Sequence, residues 1–386
     1  MFKKTRIKNS FMRKKRVFEA ISTLVGCVIG AGILGIPYVI SQAGFITGLI
    51  NILGLGIIIL LINLYLGEIT LRTKGKHQLT GYAEKYTGRI GKYFMFVCMI
   101  IGIYGAIIAY TIGAGDALAS MLGWDPLICS VIFFGVVSWL IYIGLGAIEK
   151  SEAFVIPIVI ILVLLIFFMA LPRINMINLS GFSFPKLLAP YGVVLFAYLG
   201  AVAIPEMREE LGRYKKEMKR AVIIGSTIPI IIYILFAIAV VGVMGVSTQE
   251  IGALGLTAIL GEKMAFIGAL FALFTLTTSF LAIGLALKEL FWYDYGLRKN
   301  TSWLLACFIP FLLFLVIKLG RVAGFTTILN ITGIVSGALI GILVVLMAIS
   351  AKKKGERKPE YSIYINKFIA VLLIVLFIIG AINLLV

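Results

Sequence analysis

Long apolar runs alternate with short charged segments along the entire chain. Eleven of these runs are close to the roughly 20 apolar residues that one helix needs to cross a bilayer core. Each run is apolar on all sides of a helix, as expected for helices that face lipid or other helices. The pattern predicts an all-α integral membrane protein with spans at about 17–40, 45–71, 93–116, 126–147, 153–172, 184–206, 220–245, 262–291, 301–318, 322–350 and 364–386.

Composition excludes an ordinary soluble domain. Charged residues make up 13% of the 386 residues, about half the share found in soluble domains, and mean hydropathy is +1.10. The four cysteines lie within apolar runs, without a CxxC pair or a Cys/His cluster, so we predict no disulfide framework, metal site or other cofactor. We expect a basic tail over 1–16 and one transmembrane domain over 17–386, with the lipid bilayer as its surroundings and no nucleic-acid partner.

The basic residues set the predicted orientation. If the N-terminus lies inside, thirty of the 35 Lys and Arg residues fall in or beside inner segments and five in outer ones. Cytoplasmic loops carry such an excess. We therefore predict a multi-pass protein of the cell membrane with a cytoplasmic N-terminus and an extracellular C-terminus.

Span 1 carries helix-breaking residues near its middle, in the stretch GCVIGAGILGIPYVI. Gly26, Gly30 and Gly32 precede Pro37, which donates no backbone hydrogen bond. Flexible residues followed by proline predict that the helix unwinds here. The alternative is that the glycines allow neighbouring helices to pack closely.

Span 6 has a similar break in LFAYLGAVAIPEM, with Gly200 and Pro205. Broken helices at corresponding places in two halves are typical of transporters built from inverted repeats, and they mark the substrate site. Because the two spans are five helices apart, we predict two five-helix repeats, about 17–172 and 184–350, and one extra helix, about 364–386.

Three longer stretches resemble known permeases. GAGILGIPY resembles the first helix of amino acid/auxin permeases and their relatives in the amino acid–polyamine–organocation superfamily. AYLGAVAIPEMREELGRYKKEMKRAVIIGSTIPIIIYILF and TTSFLAIGLALKELF are similar to bacterial aromatic and hydroxy amino acid permeases. The resemblance covers essentially the whole chain. It implies a LeuT-type fold and secondary transport of an amino acid.

The breaks predict how an amino acid would be held. Unwound backbone leaves amides unpaired at the positive end of the next half-helix, which is an anion site. We assign the substrate carboxylate to the amides of Ala31, Gly32 and Ile33, and the ammonium group to carbonyls of both breaks, including Gly26 and Ala197–Gly200. Other predicted site residues are Gly30 and the aromatic residues Tyr104, Tyr110, Phe196 and Tyr198, for which packing is the alternative role.

No Lys, Arg, Asp or Glu lies near the centre of any span. Charged groups within membranes are costly and mark function where they occur. A substrate with a charged side chain would need a counter-charge there, whereas a zwitterion held by backbone dipoles does not. We therefore predict a neutral substrate, and the resemblance implies an aromatic or apolar one.

A coupling cation has one candidate site. Thr275, Thr278 and Ser279 share one face of span 8, and with the carbonyls of Gly26 and Ile29 they resemble the second sodium site of LeuT-type transporters. The alternative is that each hydroxyl donates to a carbonyl of its own helix.

Proton coupling would instead need a titratable group. Glu68, near the inner end of span 2, is the first candidate, although Arg72 one turn later could simply pair with it. Glu206, just past the second break, is the other. Sodium and proton coupling both remain open at this point, as do symport and exchange.

Two other classes of protein are disfavoured. An intramembrane metalloenzyme needs motifs such as HExxH, whereas the one histidine, His77, lies in a charged inner segment. Paired helix breaks are not expected in a channel or a sensor. We therefore predict a transporter and not an enzyme, with its oligomeric state left open.

Overall fold

The computed structural model describes residues 2–144 and 152–382, and these residues contain helices but no β-strand. The α-helices are α1 (Phe2–Val28), α2 (Gly32–Ala43), α3 (Phe45–Arg72), α4 (Leu79–Leu122), α5 (Pro126–Ile143), α6 (Glu152–Ala170), α7 (Tyr191–Ala197), α8 (Ala203–Leu211), α9 (Met218–Met244), α10 (Gly252–Gly255), α11 (Thr257–Leu260), α12 (Glu262–Glu289), α13 (Lys299–Trp303), α14 (Ile309–Leu319), α15 (Phe325–Thr332), α16 (Ala338–Lys354) and α17 (Lys367–Ile382).

Both predicted breaks are present. Span 1 consists of α1 and α2, which meet at an angle of 50°. Span 6 consists of α7 and α8, separated by residues 198–202. The predicted unwinding of spans 1 and 6 is therefore confirmed.

The first helix begins earlier than the predicted span. Helix α1 starts at Phe2, so the basic tail is helical and continuous with span 1. Lys and Arg have high helix propensity, and α1 contains neither glycine nor proline before Gly26. The apolar pattern identified only the part of this helix that suits a membrane.

Span 3 is also extended at its N-terminal end. Helix α4 begins at Leu79, but Gly88 interrupts its helical backbone with φ 79° and ψ −174°. A positive φ favours glycine, which has no Cβ to clash. Residues 79–87 therefore form a separate helical piece within the predicted inner segment, ahead of span 3.

Within the described residues, eight helices are long and apolar enough to cross a membrane, or nine if α1 and α2 count as one span. Fewer than eleven qualify because the halves of span 6 contain seven and nine residues and α17 contains 16. Residues 145–147 of predicted span 4 and 383–386 of span 11 lie outside the described residues. The count of eleven spans stays a prediction.

The two broken spans pack against each other half by half. Helix α1 packs on α8, and α2 packs on α7, while α9 contacts both halves of span 1. The segments between the half-helices are consequently enclosed by protein. Irregular backbone is tolerated at membrane depth where protein or a cavity surrounds it.

Candidate functional site

At the first break, the backbone hydrogen bonds leave the α-helical pattern. In a continuous helix the Gly30 amide would donate to the Gly26 carbonyl, but it donates to Val28 O at 2.9 Å. Among the described residues, no backbone amide donates to Gly26 O. Gly26 therefore presents a carbonyl oxygen, as its predicted role requires.

Helix α2 begins with unpaired amides. The first backbone bond across this junction runs from Leu34 N to Ala31 O at 3.0 Å. Within the described part of the chain, the amides of Ala31, Gly32 and Ile33 have no backbone acceptor, and all three residues are buried. These are the amides assigned to the substrate carboxylate.

The second break has the same construction. Helix α7 ends at Ala197, and the next half-helix is entered through a bond from Ala203 N to Gly200 O at 3.0 Å. The amides of Gly200, Ala201 and Val202 likewise have no backbone acceptor among the described residues. Sequence reasoning located this break but assigned no role to its amides.

The two breaks touch at Gly32. A Cβ atom built on Gly32 would overlap both the Cα and the Cβ of Ala197. Glycine is therefore required for the first turn of α2 to approach the last turn of α7. The contact explains why GAG occurs at this place in span 1.

A central cavity of about 90 Å³ lies against both breaks. Five of the predicted site residues line it, Gly30, Gly32, Tyr110, Phe196 and Leu199, and among the described residues no charged side chain lines it. Residues that sequence reasoning did not assign supply the rest of its lining: Cys27, Val28, Cys98, Met99, Gly102, Ile103, Ala106, Ala201, Val202, Ile283, Ser336 and Ile340.

An adjoining cavity of about 240 Å³ shares Cys27 and Tyr110 with the central one. It reaches Gln78, within a predicted inner segment, and Glu206, which borders another. Gly26 also lines it. The adjoining cavity thus extends from the first break toward the predicted cytoplasmic side.

Two predicted aromatic residues lie outside both cavities. The Tyr104 hydroxyl donates to Leu305 O at 2.7 Å, and the Tyr198 hydroxyl donates to Ile52 O at 3.0 Å. Each side chain thus bonds to a neighbouring helix, which is the packing role left open above. Their assignment to the substrate pocket stays a prediction that this structure does not support, and helical periodicity does not say which neighbour a face meets.

The carbonyls proposed for the substrate ammonium differ in their protein partners. The Ala197 carbonyl accepts a bond from the Tyr233 hydroxyl at 2.7 Å, and the Gly200 carbonyl accepts from Ala203 N. Each of these two oxygens keeps one acceptor position, whereas the described residues supply no backbone donor to the Gly26 carbonyl.

The candidate sodium residues come together around a small pocket of about 20 Å³. Gly26, Ile29, Thr278 and Ser279 line it, and its volume is enough for one water-sized species. The Ser279 hydroxyl is buried and has no hydrogen-bond partner among the described residues. Thr275 does not line the pocket. The hydroxyls of Thr275 and Thr278 both donate to carbonyls of their own helix, Phe271 O at 2.7 Å and Phe274 O at 3.0 Å, which is the alternative role left open above.

Glu68 lies in an ion-pair network and not beside a break. Its carboxylate accepts from Arg72 Nε at 2.8 Å and Lys352 Nζ at 2.7 Å, and also from Ser362 Oγ and Ile363 N. Only 4% of the side chain is exposed. This arrangement favours the pairing role over proton transfer, since two cations stabilise the ionised form. Lys352 was not foreseen as a partner.

Thr23 and Glu210 form a further contact that the sequence did not reveal. The Thr23 hydroxyl donates to Glu210 Oε1 at 2.7 Å, which joins α1 to α8. Thr23 also lines the adjoining cavity. Nothing in the spacing of the two residues indicates this contact, because 187 positions separate them.

Several proteins that are similar to this chain are named as amino acid transporters. The chain is 26% identical over 287 residues to tyrosine-specific transport system 1 of Haemophilus influenzae, covering 69% of this chain and 71% of that protein. It is 25% identical to tyrosine-specific transport system 2 of the same species over 371 residues, 87% and 88% of the two chains.

The chain is also 23% identical to glutamine transporter 2 of Aliivibrio fischeri over 365 residues, which cover 91% of this chain and 93% of that protein. Residues 13–384 match the tryptophan/tyrosine permease family as a whole. This match spans both broken helices and confirms the predicted resemblance to aromatic amino acid permeases. The chain belongs to the tryptophan/tyrosine permease family.

Proposed function

We propose that this protein is a secondary active transporter that imports a neutral amino acid, aromatic or apolar, by symport with a proton or a sodium ion. The observation that carries the proposal is that backbone amides are unpaired at both helix breaks, beside one cavity that no charged side chain of the described residues lines. The relatives named for tyrosine and glutamine transport support the amino acid as substrate.

The substrate carboxylate would bind the amides of Ala31, Gly32 and Ile33 at the positive end of α2. The Gly26 carbonyl would accept from the ammonium group. Tyr110 and Phe196 would contact the side chain, since both line the central cavity. This division of roles needs no charged residue, which supports a neutral substrate.

Alternating access would operate around this site in the membrane. The half-by-half packing of spans 1 and 6 supports two inverted five-helix repeats of LeuT type, with one extra helix. The steep bias of Lys and Arg supports a cytoplasmic N-terminus and an extracellular C-terminus in the cell membrane.

The coupling ion has one supported site. The pocket lined by Gly26, Ile29, Thr278 and Ser279 offers carbonyl and hydroxyl oxygens, which hard cations such as sodium prefer. For proton coupling, Glu206 is the better placed of the two predicted acids, because it lines the adjoining cavity, whereas Glu68 lines neither this cavity nor the central one.

Counterflow tests the transport function directly. Purified protein in liposomes loaded with unlabelled L-tyrosine is expected to take up labelled L-tyrosine from outside, and the rate should saturate with concentration. Neutral aromatic or apolar amino acids should compete best because the cavity offers no counter-charge. A preference for arginine or glutamate over every neutral amino acid would contradict the proposal.

The same liposomes separate symport from exchange. An inward gradient of protons or of sodium, imposed singly, is expected to drive accumulation above the external concentration. Equal uptake without accumulation under both gradients would identify an exchanger or an uncoupled carrier. The absence of saturable counterflow altogether would instead favour a channel or sensor.

A further inference from the structure

One tyrosine outside the cavity contacts both helix breaks. Tyr233 lies in α9, and its side chain is completely buried. Its hydroxyl lies 2.8 Å from Val28 O and 2.7 Å from Ala197 O. Val28 is the last residue of α1 and Ala197 the last of α7, so one side chain joins the C-terminal ends of two half-helices.

The chemistry of this contact is unusual because one donor faces two acceptors. A helix end leaves its last carbonyls without intrahelical partners, and both oxygens here belong to such ends. A tyrosine hydroxyl carries a single proton. It can therefore give only one of the two carbonyls a full hydrogen bond at a time.

The two carbonyls are not equivalent. Val28 O also accepts from the Gly30 amide at 2.9 Å, whereas the described residues supply Ala197 O with no donor other than Tyr233. The hydroxyl can shift its bond between the ends of α1 and α7 without moving its ring. The contact thus tolerates relative movement of the two breaks while holding them together.

We propose that Tyr233 is a positioning residue for transport. Its hydroxyl holds the C-terminal ends of α1 and α7 next to each other while the two breaks rearrange. The inference rests on the proposed transport function. Tyr233 lines neither the central nor the adjoining cavity. Its loss should therefore slow the rearrangement and leave substrate binding nearly unchanged.

The test is a Tyr233→Phe variant in L-tyrosine counterflow. Phenylalanine keeps the ring and removes the hydroxyl from two buried carbonyls. We expect the maximum rate to fall about tenfold, while the half-saturating L-tyrosine concentration changes less than about threefold. Because a smaller folded fraction would also lower the maximum rate at an unchanged half-saturating concentration, the rate is expressed per molecule of protein that binds L-tyrosine, counted from the binding stoichiometry.

Tyr65→Phe is the matched control. Tyr65 is also buried, 1% exposed, and its hydroxyl donates to one backbone carbonyl, Tyr364 O, at 3.1 Å, away from the breaks. This variant should keep the wild-type rate. An unchanged rate in Tyr233→Phe, or an equal loss in Tyr65→Phe, would overturn the proposal.

A second variant covers the case in which Tyr233→Phe does not fold. Incorporating 3,5-difluorotyrosine at position 233 keeps the side chain's shape and makes the hydroxyl a stronger donor. Turnover should slow, because the bond must be exchanged during the cycle, and unchanged turnover would contradict the proposal. If wild-type protein shows no counterflow, the transport function itself fails, which distinguishes the two failures.

Discussion

A Gly32→Ala variant is expected to lose L-tyrosine counterflow by a factor on the order of a hundred. The added methyl group would overlap the Cα and Cβ of Ala197, and part of the overlap is with backbone, which cannot rotate away. Helix α2 must then move off α7. That movement displaces the unpaired amides of Ala31 and Ile33 from the substrate carboxylate.

Gly54→Ala is the control for this prediction. Gly54 lies in α3, and a Cβ atom built there meets nothing within 4 Å. It replaces glycine in a helix without creating a clash, so its transport should equal that of the wild type. Equal rates in both variants would show that the breaks do not need their close approach.

Glu68→Ala is expected to lower the free energy of unfolding by about 3 kcal/mol, in the range for breaking a buried ion pair. The carboxylate binds two cations and a backbone amide, so its removal leaves Arg72 and Lys352 without their counter-charge. The loss is measured by reversible denaturation in mixed micelles.

Glu84→Ala provides the comparison, because Glu84 pairs with Lys92 at 2.8 Å on the exposed surface. Such pairs contribute about 0–1 kcal/mol. If Glu68→Ala instead kept full stability and lost only proton-driven accumulation, Glu68 would be a coupling residue after all. From the structure we instead expect Glu68→Ala to lose stability, and to lose more of it than Glu84→Ala does.

The breaks could be predicted because their causes are local. Gly26, Gly30 and Pro37 weaken the helix wherever its neighbours lie, and the apolar runs fix the approximate helix positions. The resemblance to the second sodium site of LeuT-type transporters, and not a local pattern, implied that Gly26 and Ser279 lie close together, and both line the small pocket. The LeuT-type repeat and the full count of spans remain predictions.

Which face of each helix meets the cavity could not be predicted. Tyr104 and Tyr110 both lie in α4, yet one bonds to Leu305 O and the other lines the cavity. In a span that is apolar on all sides, periodicity gives no inward direction. Cys27 and Ser336 were missed for this reason.

Contacts between distant segments were also beyond sequence reasoning. The Glu68–Lys352 pair joins residues 284 positions apart, and the Tyr233–Val28 bond joins residues 205 apart. Neither pair has a motif or spacing that links its members. Such contacts depend on how the helices pack, and they carry both the stability and the positioning proposed here.

Hydrogen–deuterium exchange at residue resolution tests the central role of the opened backbone most directly. Without substrate, the amides of Ala31, Gly32 and Ile33 are expected to exchange far faster than those in the middle of α3. Saturating L-tyrosine should slow their exchange, while L-arginine at the same concentration should not. Full protection of these amides in the absence of substrate, or exchange that L-tyrosine leaves unchanged, would contradict the account.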